Sequence, residues 1–181
     1  MKFGEIREIV DDAIYTLLGN DGFLLENDVN ERSISHRLAL YLEDYFPEYD
    51  VDCEYNRNVE ADNERKYIRI IRRKAIELGI KIDENTVEQN IIERLVYPDI
   101  IVHLRGRNDH NLLIIEMKKT SSSISQEFDY EKLRRYTSAE NENDLSYAFG
   151  AFICVGVLSN LRENMVAWFM EGQKIEQHEL S

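Results

Sequence analysis

Two prolines and two cysteines are all that this chain of 181 residues contains of either. With only Pro47 and Pro98, no Pro/Gly-rich linker, no low-complexity tract and no internal repeat, nothing divides the chain, and one domain over 1–181 is expected. Cys53 and Cys154 are far apart and form no CxxC pair, which excludes a disulfide framework and a thiolate zinc cluster. They read as buried free thiols in a reducing compartment, and a cytoplasmic location follows as the expectation.

Long hydrophobic runs are also missing. The longest nearly uninterrupted one, YAFGAFICVGVL from Tyr147, falls short of the roughly 20 residues a membrane span requires, so no membrane partner is expected. It is a core strand candidate. The opening MKFGEIREIVDD mixes both charge signs and lacks the apolar region of a secretory signal.

Positive charge is scarce. Lys and Arg total 22 against 35 Asp and Glu, a net charge of −13, whereas a general nucleic-acid binder is expected to be basic. Basic residues do crowd two segments: Arg65, Lys66, Arg69, Arg72, Arg73 and Lys74 in one, Lys132, Arg134 and Arg135 in the other. Each cluster reads as solvated helix surface balancing acidic neighbours, with a local phosphate-contacting face as the alternative. A homodimer or a protein partner would be a way to supply the missing charge.

Periodicity supplies the elements. Ile6, Ile9, Val10, Ala13, Ile14, Leu17 and Leu18 recur at helical spacing, and Gly19, Asn20 and Gly22 supply a stop. A second amphipathic helix is predicted from Asn30 to Tyr45, ended by Pro47, with Glu31 on the same face as Ile34 and Leu38. A carboxylate beside an apolar stripe needs a partner or a task. VDCEYN alternates as a half-buried strand does. Tyr67 to Leu78 is predicted as a helix ending near Gly79, and Val87 to Leu95 as a weaker one, giving a helical insertion at about 60–96. Ser123 and Gln126 have capping-box spacing for a helix through Tyr136. Ala148–Leu158 and Met165–Met170 read as strands, the latter followed by the turn EGQK. The class is α/β with a mixed sheet flanked by helices.

The chemistry concentrates in Tyr97 to Lys119, YPDIIVHLRGRNDHNLLIIEMKK. Two runs rich in Ile, Leu and Val flank a turn-rich centre, the pattern of a hairpin. A loop centred between Arg107 and Asn108 sets Asp99 opposite Glu116. Directly opposed residues have Cβ atoms about 5 Å apart, where two carboxylates repel and raise each other's pKa unless a cation lies between them. Lys118, two residues after Glu116, projects to the same face. Two carboxylates with a nearby backbone carbonyl and waters make an oxygen-only site suited to Mg²⁺, with Mn²⁺ as an alternative. Such an ion activates bound water and offsets charge growing on a phosphodiester, while Lys118 orients the water and stabilises the transition state.

Pro98-Asp99, sixteen residues, then Glu116-Met117-Lys118 at the end of an apolar strand resembles the PD-(D/E)xK nuclease superfamily, with its restriction-endonuclease-like fold. The order of helix, VDCEYNR, insertion, PDIIVH and LLIIEMKK is similar to that of small bacterial proteins of the superfamily, over roughly Glu31 to Leu158. The resemblance implies a hydrolase acting on DNA, with Asp99 and Glu116 as metal ligands and Lys118 as the catalytic lysine. It also implies a helical acid at Glu31, for which Glu54 is a rival, and a metal-binding carbonyl at Met117. Two other readings stand beside it: a non-catalytic protein using the same scaffold for binding or assembly, and an acidic interaction protein, a DNA mimic, that takes the net charge at face value.

The remaining candidates point elsewhere. His36, His103, His110 and His178 show no paired metal spacing, although His103 shares a strand face with Asp99. Ser121 to Ser123 suit a loop and cap better than a nucleophile. Lys119 points away from Lys118 and is expected in solvent.

Overall fold

The computed structural model describes residues 1–58, 64–82, 90–139 and 145–176. Helix α1 (Phe3–Asn20) buries Ile6, Val10, Ala13, Ile14 and Leu17 on one stripe, as their spacing requires. After the short α2 (Gly22–Glu26), α3 (Glu31–Glu43) starts where the Asn30 side chain accepts a hydrogen bond from the Ser33 N–H at 2.9 Å. It buries Ile34, Leu38 and Leu42. Asp21 ties the two long helices, accepting from Arg37 Nε at 2.8 Å and from the Tyr41 hydroxyl.

Ten strands follow among the described residues: β1 (Asp50–Cys53), β2 (Arg57–Asn58), β3 (Glu64–Arg65), β4 (Tyr67–Ile71), β5 (Ile91–Leu95), β6 (Ile100–His103), β7 (Leu113–Lys119), β8 (Phe149–Val155), β9 (Met165–Met170) and β10 (Gln173–Lys174). Helix α4 (Arg72–Glu77) follows β4, and α5 (Glu127–Thr137) lies between β7 and β8. Six strands form one sheet in the order β1-β6-β7-β8-β9-β10. Only β7 and β8 run parallel within it, joined through α5; the other pairs are antiparallel. The protein is therefore mixed α/β.

Period-two alternation sorts the sheet's side chains into two cores. Ile100, Val102, Leu113, Ile115, Met117, Ile153 and Val155 pack against α1 and α3. On the other face Ile101, Ile114, Phe152 and Phe169 meet Tyr130, Leu133 and Tyr136 of α5, with Ile68, Ile70 and Ile92 from β4 and β5. Each such large side chain, fully buried, contributes about 1.5–3 kcal/mol. Gly150 lets α5 lie this close: a Cβ there would sit 3.0 Å from Thr137 Cγ2 and 3.3 Å from Leu133 Cδ2.

Several expectations need correction. Tyr67–Ile71 is a strand paired with Ile91–Leu95, so the insertion is not wholly helical. Ile68, Ile71, Ala75 and Ile76 mimic helical spacing, but Ile68 and Ile70, two apart and both β-branched, are the residues buried in the strand, and the helix begins only at Arg72. It stops as expected at Gly79, whose φ of +67° suits glycine. Of the second helix expected there, residues 91–95 are β5 and 87–89 lie outside the described residues, as does His178. The capping box does not form: α5 starts after Gln126 with no side-chain cap, and Ser125 Oγ accepts from the Glu127 N–H at 3.3 Å. The EGQK turn closes β9–β10 with Glu171 and Gly172 both at positive φ (50° and 75°), the two-residue hairpin geometry.

Candidate active site

The β6–β7 ladder pairs Ile100 with Ile115, Ile101 with Ile114 and Val102 with Leu113. That is the register that sets Asp99 opposite Glu116. The ladder stops at Ile100, and Asp99 Oδ2 accepts the Met117 N–H at 2.7 Å, a side chain standing in for the next backbone acceptor. Glu116 projects to the α5 face between Phe152 and the helix; Lys118 follows on the same face.

Helix α5 completes the arrangement. Asp129, Lys132 and Tyr136, spaced to share one helical face, are buried beneath it. Lys132 Nζ lies 2.5 Å from Glu116 Oε2 and 2.8 Å from Asp129 Oδ1. Lys118 Nζ lies 2.7 Å from Asp129 Oδ2. The Tyr136 hydroxyl donates to Glu116 Oε1 at 3.2 Å. In the sequence Lys132 reads as solvated helix surface and Asp129 carries no mark; the available signal is the i, i+3, i+7 spacing of Asp129, Lys132 and Tyr136, in step with Leu133.

Glu31, at the first turn of α3, meets the end of β7, where its carboxylate takes the Lys119 backbone N–H and feels both Lys118 and Asp129. A cavity of about 410 Å³ is lined by Glu31, Arg32, Glu54, Tyr97 and Asp99. Glu54 is exposed and pairs with Arg32 at 2.7 Å. Of the rival acids, Glu31 is the one coupled electrostatically to the lysine–carboxylate cluster; both line the cavity. Two other cavities, about 560 and 600 Å³, lie against the C-terminal half of α5 and beside α4, and none of these acids lines them.

Burial dominates the electrostatics. It pushes Asp99 up to about 6 despite the Met117 N–H and Lys132. It pushes Glu116 up to about 8, Lys132 opposing and Asp99 and Asp129 reinforcing. Glu31 is raised by burial too, with Lys118 opposing. Burial alone would lower the Lys132 amine, but Glu116 and Asp129 together more than reverse it, and its pKa is raised. By count, four carboxyl groups (Glu31, Asp99, Glu116 and Asp129) share this cluster with two ammonium groups (Lys118 and Lys132).

Tested against a hard divalent ion, the donor set fits in chemistry: Glu31, Asp99 and Glu116 are all oxygen ligands, and a deficit of positive charge surrounds them. In this arrangement, among the described residues, no three His, Cys, Asp or Glu groups converge so as to hold an ion. Both Glu116 oxygens face Lys132 and Tyr136 instead.

The remaining candidates take the following places. His103 is buried on Asp52, Nε2 to Oδ2 3.0 Å, against the Tyr55 ring, away from the cluster. Lys119 does turn to the opposite face, but it is half-buried, holding Asp28 Oδ1 at 2.8 Å and the Asp28 and Val29 carbonyls. The thiols of Cys53 and Cys154 are free and half-buried. Of the basic clusters, Lys66 is buried over the Tyr55 and Tyr147 rings, and Arg69, Arg73 and Lys74 pair with Glu93 and Glu77.

The fold and cluster define a mixed α/β protein with a buried carboxylate–lysine site at the end of two adjacent central strands. Compared with protein-family models, curated proteins and solved structures, the chain matches none. Among the described residues, no helix is long and apolar enough to cross a membrane.

Proposed function

We propose that the protein is a metal-dependent phosphodiesterase of the PD-(D/E)xK type acting on DNA, in a cytoplasmic setting. The observation that supports it is the convergence of Asp99, Glu116 and Lys118 on one sheet face at the end of β6 and β7. In this reading the Asp99 and Glu116 carboxylates would hold Mg²⁺ or Mn²⁺, with the Met117 carbonyl and the Glu31 carboxylate of α3 as further oxygen ligands. When bound there, the ion would supply Lewis acidity, lowering the pKa of water and offsetting charge on the phosphoryl oxygens. Lys118 orients a water whose oxygen attacks phosphorus. One P–O bond forms, the opposite P–O bond breaks, and the leaving oxygen takes a proton, giving a monoester and an alcohol. The net charge of −13 weakens any broad grip on the phosphate backbone, so recognition is local and best sought at low salt.

Incubation of supercoiled, linear, single-stranded and branched DNA with Mg²⁺ or Mn²⁺ tests the reading. Wild type cleaves at least one of these, while Asp99→Ala, Glu116→Ala and Lys118→Ala, still folded, do not. Undiminished cleavage by all three variants contradicts the assignment. A second reading, a non-catalytic scaffold, is favoured by the presence of Lys132 on Glu116; it requires a folded protein that neither binds the ion nor cuts any of the four substrates.

A further inference from the structure

Lys132 has no place in the Asp/Glu/Lys site just proposed, yet it makes the shortest contact in it. Its ammonium is 2.5 Å from Glu116 Oε2 and 2.8 Å from Asp129 Oδ1, enclosed below the sheet with the Phe128 ring 5.5 Å away. Glu116 has no unoccupied oxygen: Oε2 faces Lys132 and Oε1 accepts from Tyr136. Asp129 bridges the two lysines, Oδ1 2.8 Å from Lys132 and Oδ2 2.7 Å from Lys118, the latter a close charge contact without hydrogen-bond geometry.

We infer that Lys132 is a built-in counter-ion that occupies Glu116 in place of the divalent cation and withdraws towards Asp129 when that cation binds. This rests on the metal-site reading above. A cation cannot reach Glu116 Oε2 while an ammonium sits 2.5 Å from it, because like charges that close repel strongly in a buried site. The withdrawal is short because Asp129 already holds the same ammonium. It also has a consequence for Lys118. As Lys132 takes more of Asp129, Lys118 loses its hold on the shared carboxylate and becomes available to the attacking water. Loading of the ion and release of the catalytic amine are thereby coupled through one side chain, and Lys132 is a positioning residue.

Two measurements, neither of them activity, test this. In wild type carrying ¹⁵N-labelled lysine and backbone, the Lys132 Nζ resonance is followed during Mg²⁺ titration, with the Met117 amide reporting occupancy. The inference predicts that both shift together. In Lys132→Gln, which keeps a hydrogen-bond donor without the charge, Mn²⁺ is bound at least tenfold more tightly than by wild type, as read by electron paramagnetic resonance. Damage to a merely structural residue would weaken binding instead. A Lys132 signal that stays fixed while Met117 shifts overturns the inference, and so does a folded variant that holds Mn²⁺ no more tightly. Should Lys132→Gln fail to fold, the wild-type titration decides alone. If neither protein binds Mn²⁺ and Met117 stays unmoved, the metal-site reading itself falls, and this inference with it.

Discussion

The Asp99 carboxylate accepts the backbone N–H of Met117 at 2.7 Å, so one residue both ends the β6–β7 ladder and faces Glu116. The two roles separate by substitution. Asp99→Asn keeps an acceptor for the N–H and is expected to melt within a few degrees of wild type, yet to be inactive in DNA cleavage. Asp99→Ala leaves the N–H unpaired and costs about 1–3 kcal/mol in addition, measurable by urea unfolding.

Lys132 and Glu116 are bound to behave as a pair. At a pH above the Glu116 value of about 8, where both groups are charged, removing either one leaves the other buried without its partner, which is why breaking such a pair then costs about 3–5 kcal/mol. The double variant Glu116→Gln/Lys132→Gln is expected to lose less than the sum of the singles, with a coupling of about 1–3 kcal/mol in a double-mutant cycle. Additive losses would mean the contact carries no stabilisation.

Stability should fall with rising pH in a defined window. Glu116 is raised from 4.5 to about 8 in the folded protein, so its contribution is fully present below its unfolded value and is lost as pH climbs through about 8. His103, lowered from 6.5, acts in the opposite sense on the acid side, and Lys66, lowered from 10.5 to about 8, does so on the alkaline side. Between pH 6.5 and 8 the Glu116 slope therefore stands clear of both. Thermal unfolding of wild type and Glu116→Gln across that interval is expected to show a downward slope only in wild type.

Lys119 steers the site without entering it. Its ammonium clamps Asp28 and two carbonyls in the turn that leads into α3, and its backbone N–H meets Glu31. Lys119→Ala is expected to lower stability in urea unfolding, and to lower cleavage by loosening Glu31. Full activity alongside that loss of stability would separate Glu31 from the reaction.

The β6–β7 hairpin was legible because its signal is local: two β-branched runs around one polar turn set the register, and with it the facing of Asp99 and Glu116. Helices α1 and α3 were legible from their apolar stripes. Strands β4 and β5 were not, since their pairing spans the distance from Tyr67 to Leu95 and their short Ile-rich runs satisfy either period. Asp129 and Lys132 escaped for a different reason. Charges on a helix ordinarily face water, and what draws these two inward is the buried Glu116 on β7, a partner no helical pattern reveals.

The central claim, that Asp99 and Glu116 share a divalent ion, is most directly tested by thermal unfolding with and without Mg²⁺ for wild type and Asp99→Asn. A ligand held only by the folded state at a hundred times its dissociation constant stabilises by about 2.7 kcal/mol. For a chain of this size that is roughly 5–10 °C. The account predicts this rise in wild type and its loss in Asp99→Asn. Identical melting with and without the ion in wild type, at Mg²⁺ concentrations up to tens of millimolar, would contradict it.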